Sequence, residues 1–296
     1  MAAPNPTHRG TIHLENAEVL EQVAHPAEQF ILRVHAPECA RNAVAGSFAH
    51  IQCDADIPMR RPISIMAADA TTGHVDFLYK IVGHGLRALG AKRAGDVISI
   101  LGPIGNGFAP TAARPRKLML GGGVGVPPMM FLANQLAASG AALDQSLVLM
   151  GSEVPFPFTV VESKRKLAGA AEDATHALAE LEHQGIPSRL ASLQGYSGVH
   201  KGYVTGLGRR WLAALSTDEL AEVEVFACGP EPMLEAAARL VAEFDLPCQL
   251  SLEEFMACAV GGCAGCTVPV HLPGGVAMKR VCVDGPVFAA EAVYPK

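Results

Sequence analysis

The chain has 296 residues, of which 50% are hydrophobic and 18% charged, enough for about two domains with substantial cores. Its formal net charge of −6 and aromatic content of 5% argue against a nucleic-acid-binding protein, which needs a basic surface and stacking side chains. The sequence contains no run of about 18 apolar residues that would span a membrane. The stretch MAAPNPTHRG at the N-terminus lacks the apolar segment of a signal peptide. We therefore expect a cytoplasmic protein, and the high apolar content favours a partner subunit.

The N-terminal part of the chain is typical of a small antiparallel β-barrel. Short segments rich in β-branched residues alternate with turn residues at intervals of roughly ten residues. The polar stretch Thr111–Lys117 marks the end of this pattern, and we place the barrel in residues 1–113. The predicted strands are Phe30–His35, Ser47–Cys53, Pro62–Met66, His74–Val82 and Asp96–Leu101.

The middle of the chain, residues 114–246, alternates strands with helices, which predicts a parallel α/β nucleotide-binding domain. The predicted strands are Lys117–Leu120, Ser146–Met150, Ser188–Leu193 and Val223–Ala227. The predicted helices are Met129–Ala138, Ala174–His183, Pro232–Phe244 and one around Trp211.

Two segments that follow predicted strands of this domain are candidate nucleotide-binding loops. The first consists of Gly121, Gly122, Gly123, Val124 and Gly125, and the second of Cys228, Gly229, Pro230 and Glu231. Glycines let the backbone approach a pyrophosphate, and a helix N-terminus supplies N–H groups, although a tight strand-to-helix turn also explains the glycines. Because both segments follow strands of one parallel sheet, we expect them to face the same crevice.

The choice between NAD and NADP depends on the end of the second predicted strand. Glu153 follows this strand, and its carboxylate would repel a 2′-phosphate and could bond a ribose hydroxyl, which favours NAD. A solvated glutamate explains the same residue equally well.

The barrel also contains a candidate pyrophosphate site. Arg61, Pro62, Ile63 and Ser64 open a predicted strand, where arginine can bind phosphate bidentately and serine adds a hydroxyl donor. A later strand contains Tyr79, whose ring either covers a flavin or ribose face or packs inside the barrel. That strand leads into Gly83–Leu86, where the glycines can admit a phosphate.

The eight cysteines divide into two groups. Cys258, Cys263, Cys266 and Cys282 follow the pattern C-x4-C-x2-C…C of plant-type [2Fe–2S] proteins. The residues between the first three are AVGG and AG, so the backbone can curl around a cluster and aim N–H groups at its sulfurs. A structural zinc site remains an alternative, while disulfides are disfavoured without an export signal. We place a small iron–sulfur module in residues 247–296.

The other four cysteines are expected to be small buried hydrophobic residues. They are Cys39, Cys53, Cys228 and Cys248, of which Cys228 also opens a candidate nucleotide loop.

The combination and order of these motifs resemble the ferredoxin–NADP reductase superfamily, and with the cysteine module the electron-transfer subunits of class 1B dihydroorotate dehydrogenase. The resemblance extends from Gly10 to Phe288. It implies that FAD is held by Arg61, Pro62, Ile63, Ser64, Leu78, Tyr79, Lys80, Gly85 and Leu86. In that family the second phosphate turn usually reads G-x-G-T. Here Leu86 stands in place of the threonine, so that the hydroxyl contact to the FAD phosphate is either missing or supplied by the backbone alone.

The resemblance implies an electron relay from NADH through FAD and the [2Fe–2S] cluster to the FMN of a catalytic partner that oxidises dihydroorotate. It also implies two of these subunits on a catalytic dimer. The sequence shows no Ser/His/Asp or Cys/His arrangement that indicates a nucleophile or a general base, so no catalytic residue is assigned. Two alternatives stay open: the same relay serving a hydrogenase, a transhydrogenase or a pyrimidine- or aromatic-degrading enzyme, and a zinc-stabilised nucleotide-binding regulator.

Overall fold

The structure is a computed structural model, and it describes residues 10–295. The sequence-based expectation about a leader segment falls almost wholly on residues 1–9, which lie outside the described part of the chain. Within residues 10–295, no helix combines the length and the apolar character needed to cross a membrane.

The first part of the chain is a closed six-stranded antiparallel barrel, as predicted, with the strand order β1-β2-β5-β4-β3-β6. Its core consists of inward-facing aliphatic and aromatic side chains such as Leu32, Ile51, Ile65, Phe77 and Ile100, none of which is exposed. The strands are β1 (His13–His25), β2 (Gln29–His35), β3 (Phe48–Gln52), β4 (Arg61–Asp69), β5 (His74–Lys80) and β6 (Val97–Ile104). Two helices lie between them, α1 (Pro37–Asn42) and α2 (Gly83–Gly90).

The sequence prediction found five of these strands but missed β1, the longest at 13 residues. Only Ala17 and Val19 of β1 are buried, while Glu18 and Glu21 are exposed and Glu15 accepts hydrogen bonds from the N-terminus of α1. The strand therefore lacks the apolar alternation on which sequence prediction depends. Its extended form follows from pairing with both β2 and β6, which closes the barrel.

The second part is a six-stranded sheet with the order β11-β8-β7-β12-β13-β16. The first five strands are parallel, and β16 joins the edge antiparallel to β13. The strands are β7 (Arg116–Gly122), β8 (Leu147–Gly151), β9 (Val160–Glu162), β10 (His176–Leu178), β11 (Ser188–Ala191), β12 (Val223–Cys228) and β13 (Cys248–Ser251), where β9 and β10 form a separate pair. The helices are α3 (Val126–Ala138), α4 (Ala179–Gln184), α5 (Val204–Ala213), α6 (Thr217–Ala221) and α7 (Glu231–Glu243).

The predicted helix Ala174–His183 is wrong in its first half. Residues 176–178 form β10, which pairs antiparallel with β9, and only α4 is helical. The alanines of this segment favour a helix, but the ladder to β9 supplies backbone hydrogen bonds that override the propensity. The other three predicted helices are confirmed as α3, α5 and α7.

The third part is the small C-terminal unit that contains the clustered cysteines. A loop leads into the hairpin formed by β14 (Thr267–Leu272) and β15 (Gly275–Arg280). The chain then returns through β16 (Val287–Ala289) to the α/β sheet and ends in α8 (Ala290–Val293). The boundary proposed between residues 246 and 247 therefore falls just before β13, a strand of the sheet.

The two glycines of α5, Gly206 and Gly208, allow a test of how this helix packs against the sheet. Gly206→Ala should raise the free energy of unfolding by about 0.5–1 kcal/mol, because its Cβ would meet nothing within 4 Å and alanine restricts the unfolded chain. The measurement is the midpoint of thermal unfolding. Gly208→Ala is the matched control, since its Cβ would press on Leu240 at 3.3 Å and should gain less. A lower midpoint for Gly206→Ala than for Gly208→Ala would contradict this packing.

Candidate functional site

The two predicted nucleotide loops meet at the carboxyl ends of neighbouring strands. Cys228 pairs with Gly121 where β12 runs beside β7. A Cβ on Gly125 would overlap the carbonyl oxygen of Cys228, and a Cβ on Gly122 would overlap the sulfur of Met233. Gly125 is therefore required by backbone contact between the loops and Gly122 by the Met233 side chain, and the two loops adjoin at one edge of the sheet.

The N-terminus of α3 offers fewer N–H donors than a helix start usually does. Gly123–Gly125 form a short 3₁₀ turn before α3, and no side chain caps the helix. Pro127 and Pro128 follow directly and carry no N–H group. The N–H of Val126 donates to the Gly123 carbonyl, so donors to an anion are confined to residues 123–125, in which Val124 is 39% exposed.

The second loop lies at the N-terminus of α7. Pro230 occupies the N-cap position and Glu231 the first helical turn, where the carboxylate is exposed. The Cys228 thiol is fully buried, and burial followed by the charge of Glu253 raises its pKa, so that it stays protonated. A neutral thiol beside the crevice is suited to packing against a ligand and not to nucleophilic attack.

Sequence analysis missed Glu253, which follows β13 at the same edge of the sheet. Its side chain reaches solvent but lies deep among surrounding protein atoms, and this burial raises the pKa of its carboxyl. A perturbed carboxyl in a crevice is a candidate functional group. Glu153, the predicted determinant for NAD, is exposed beside the end of β8, and its role stays a prediction.

The predicted pyrophosphate site of the barrel is formed by Arg61 and α2. A Cβ on Gly85 would lie 3.0 Å from Nη2 of Arg61, so the guanidinium rests directly on this glycine. The N-terminus of α2 has no side-chain cap, and its free N–H groups and the guanidinium together suit a diphosphate. Leu86, the departure from the G-x-G-T pattern, is half-buried and packs against the barrel core.

Tyr79 packs inside the barrel, which is the second of the two positions that the sequence allowed. Its ring is 2% exposed and stacks on Phe30 with a centroid distance of 5.5 Å, and its hydroxyl donates to Gln22 at 2.9 Å. The flanking Leu78 is buried and Lys80 exposed. A flavin contact by residues 78–80 stays a prediction, and Tyr79 could take part only through its backbone.

The motif on β4 alternates between the barrel interior and its outer face. Ile63 is buried in the interior opposite Ala49, while Pro62 and Ser64 are partly exposed on the outer face. The motif therefore offers Pro62, Ser64 and the guanidinium of Arg61 to a ligand outside the barrel.

The four clustered cysteines form two pairs. Sγ of Cys266 lies 3.3 Å from Sγ of Cys282, and the Cys263 thiol forms a hydrogen bond with the Cys258 sulfur. Backbone N–H groups point at the sulfurs of the exposed pair, from Cys263 to Cys258 and from Gly265 to Cys263, both at 3.4 Å. The residues after these two cysteines, Ala259 and Ala264, have left-handed φ angles of 56° and 54°, which turn the chain back toward each sulfur.

The electrostatics of the cysteine loop favour the thiolate form of Cys258, at the start of the loop. Burial opposes ionisation of Cys258, but the N–H groups of Cys263, Val260 and Gly262 outweigh it and lower its pKa to about 7. Burial and the neighbouring Cys266 thiol raise the pKa of Cys282 to about 12. Bound iron would be needed to hold the inner pair as thiolates.

This arrangement fits a two-iron cluster better than a single ion. Among residues 10–295, no three His, Cys, Asp or Glu side chains form a group that could hold one metal ion. A tetrahedral zinc site requires four ligands around one point, whereas two separate sulfur pairs match the two irons of a [2Fe–2S] cluster. The remaining cysteines are buried and unpaired, as predicted.

Sequence analysis also missed a strap between the two larger parts of the chain. We define the strap as residues 152–158, which leave β8 at the crevice. The side-chain amide of Gln29 on β2 donates to the carbonyl of Pro155 at 2.8 Å, and Phe156 and Phe158 pack against the core shared by the barrel and α3. Since Gln29 pairs with Lys80 across the strands, the strap is fastened beside the predicted flavin strand.

The fold of this chain is similar to that of solved reductases. The NADH-dependent reduced ferredoxin–NADP oxidoreductase shares 23% identity at a TM-score of 0.68, over 94% of this chain and 90% of that chain. A ferredoxin reductase of carbazole 1,9a-dioxygenase shares 20% identity at a TM-score of 0.59, over 83% and 68% of the two chains. The ferredoxin–NADP reductase-like fold expected from the motif order is thereby confirmed.

Sequence relatives narrow this class to one family. Residues 253–294 match the model of the iron–sulfur cluster binding domain of dihydroorotate dehydrogenase B. The electron transfer subunit of dihydroorotate dehydrogenase B (NAD(+)) from Geobacillus sp. (strain WCH70) is 36% identical over 252 residues, 84% of this chain and 86% of the relative. That from Desulforamulus reducens is 30% identical over 92% of this chain and 95% of the relative. The chain belongs to the family of dihydroorotate dehydrogenase B electron transfer subunits.

The contact between the two nucleotide loops can be tested at Gly125. Gly125→Ala should lower the free energy of unfolding by about 1–3 kcal/mol and raise the KM for NADH, because the added methyl group forces the loops apart. The measurements are the unfolding midpoint and NADH-dependent dye reduction. Gly206→Ala, in α5 and with nothing within 4 Å of its Cβ, is the control and should neither lower the midpoint nor change the KM for NADH. Equal effects of the two variants would reject the contact.

The role of Arg61 can be tested by the flavin content of the purified protein. Arg61→Ala should reduce bound FAD, because the guanidinium on Gly85 is the only charged group assigned to the diphosphate. Arg87→Ala is the matched control, since this arginine lies on the exposed side of the same helix α2 and pairs with Glu28 at 3.2 Å. FAD occupancy that is unchanged in Arg61→Ala, measured by flavin release, would reject the assignment.

Proposed function

We propose that this chain is the subunit that transfers electrons between NADH and the FMN of a dihydroorotate dehydrogenase catalytic subunit, in pyrimidine biosynthesis. The cofactors would be FAD and a [2Fe–2S] cluster. When bound, they supply the redox chemistry, since a flavin takes two electrons as a hydride and releases them singly to a one-electron cluster. The protein's residues bind and orient these groups.

Each part of the chain has one binding task in this proposal. Arg61, Gly85 and the N-terminus of α2 hold the FAD diphosphate, with Pro62–Ser64 and the backbone of Leu78–Lys80 against the rest of the flavin nucleotide. The loops 121–125 and 228–231 hold NADH. Cys258 with Cys263, and Cys266 with Cys282, each ligate one iron.

The observation that carries the proposal is the shared buried core that joins the flavin strand to the cysteine loop. Ser64 on β4 pairs with Phe48 on β3. Phe48 belongs to the same buried cluster as Met256, Cys266 and Cys282. The flavin motif and the cysteine loop thus border one continuous buried core, an arrangement that suits an electron relay.

The partner would bind where the cysteine module exposes apolar surface. Phe255 is 94% exposed, Met278 61% and Val276 60%, and the half-exposed Val260 lies between the first two cysteines. Exposed apolar side chains mark interaction sites, and Phe255 and Val260 flank Cys258 along the chain. An FMN-containing catalytic subunit seated here would receive electrons directly from the cluster, and two such chains on a catalytic dimer would give a heterotetramer.

The proposal includes a cytoplasmic location. All eight cysteines are unpaired, which suits a reducing compartment. The names of the relatives favour dihydroorotate dehydrogenase as the client of this relay over a hydrogenase, a transhydrogenase or a pyrimidine- or aromatic-degrading enzyme.

The test begins with metal and flavin analysis of protein purified without oxygen. About two irons and one FAD per chain are expected, as a plant-type cluster requires, and zinc without iron would contradict the relay. Cys263→Ser should remove the cluster absorbance and leave NADH-dependent dye reduction intact, because the flavin precedes the cluster. Cys39→Ala, in the barrel, is the control that should retain iron.

The partner is tested by purifying the chain with its catalytic subunit from the native host. Oxidation of NADH that depends on orotate is expected for the complex and should vanish with Cys263→Ser. A complex that contains another flavoenzyme and ignores orotate would reject the assigned client while leaving the relay intact.

A further inference from the structure

The imidazole of His50 lies buried where the barrel meets the cysteine module. On β3, Ala49 and Ile51 face the barrel interior, and His50 alternates with them to face outward. The residue is 1% exposed, and neither Nδ1 nor Nε2 has a hydrogen-bond partner. It is the only residue among 10–295 with two such buried, unpartnered side-chain nitrogens.

The surroundings of this ring join the flavin motif to the cysteine loop. His50 pairs with Pro62 of the flavin motif on one side and with Leu101 of β6 on the other. The backbone groups of Met256 and Arg60 lie near the ring and raise the pKa of His50. Arg60 lies directly before the flavin motif, and Met256 lies two residues before Cys258. The guanidinium of Arg60 donates to the carbonyl of His50 at 3.1 Å, which holds this part of β3 in place.

Burial of an unpartnered imidazole is unfavourable for stability. A buried polar group without a hydrogen bond costs about 1–3 kcal/mol, and a leucine of similar size would fill the same space without that penalty. Burial, then the charge of Arg60, lowers the pKa of His50 to about 4. The ring is therefore neutral at pH 7 and has one N–H donor and one acceptor to offer.

We propose that His50 is a positioning residue that holds the backbone around Met256 against the flavin strand and thereby sets the path between flavin and cluster. The proposal rests on the proposed function, since it needs both groups to be bound. The neutral ring faces the Met256 backbone and has one N–H donor to offer it. Removing the donor lets the segment before Cys258 shift away from β4, while the FAD and NADH sites, which use other residues, are unaffected.

The experiment compares His50→Leu and His50→Gln with the wild-type protein loaded with FAD and iron. Ile51→Val, on the same strand but facing the barrel interior, is the matched control for a packing change. After NADH is mixed in without oxygen, flavin bleaching is followed by absorbance, and cluster reduction by electron paramagnetic resonance of rapidly frozen samples. Iron content, FAD content and the unfolding midpoint are measured for each variant.

For His50→Leu we expect wild-type flavin bleaching but cluster reduction that is roughly 10- to 100-fold slower, the size of effect usual for residues behind a metal ligand. Its iron content, FAD content and unfolding midpoint should stay close to the wild-type values, because leucine is of similar size and fills the same space. His50→Gln retains an N–H donor and should restore part of the rate. Ile51→Val should transfer electrons at the wild-type rate.

Three results would overturn the proposal. Wild-type cluster reduction in His50→Leu would remove its role in the path, and a lower midpoint with unchanged transfer would make the residue structural only. Loss of FAD would make it a flavin ligand. A wild-type protein that lacks iron, or whose cluster is not reduced after the flavin bleaches, would instead contradict the proposed function.

Discussion

The position of the cysteine loop depends on backbone hydrogen bonds that join all three parts of the chain at residues 285–288. Asn106, just beyond the barrel, donates its N–H to the carbonyl of Gly285 at 2.6 Å, and Leu252 donates to Pro286 at 2.9 Å. The next residues form β16, which completes the α/β sheet against β13. The barrel, the sheet and the return of the cysteine loop thus share one junction, so the flavin strand and the sulfurs are fixed relative to each other by main-chain contacts.

The parts of the fold that sequence could predict are those whose local pattern matches their final environment. Strands such as β5 are apolar because they are buried, and the glycine and cysteine spacings reflect chemistry that acts within a few residues. By contrast, β1 is polar and β16 is three residues long, so each becomes a strand only through its neighbours. The segment 174–183 shows the opposite error, since its local helical preference yields to pairing with β9.

The residues of the candidate site likewise fall into those that a motif reveals and those that only the fold brings together. Motifs identified Arg61, Gly85 and the two nucleotide loops, but not that the guanidinium rests on the glycine or that Gly125 touches the Cys228 carbonyl. Glu253 and His50 belong to no recognisable motif. Their importance arises from the order of strands, which brings a carboxyl beside a thiol and an imidazole beside the cysteine loop from distant parts of the sequence.

The strap has a consequence for exchanging parts between reductases. Residues 152–158 begin at the nucleotide crevice but are fastened to Gln29 and packed on the barrel side. Part of the nucleotide domain, the strap, therefore packs on the barrel and belongs structurally to both domains. A chimaera that imports another α/β domain to change nucleotide preference must keep a matching pair of strap and β2, because otherwise the buried amide of Gln29 loses the Pro155 carbonyl and the hybrid gains a gap beside its flavin strand.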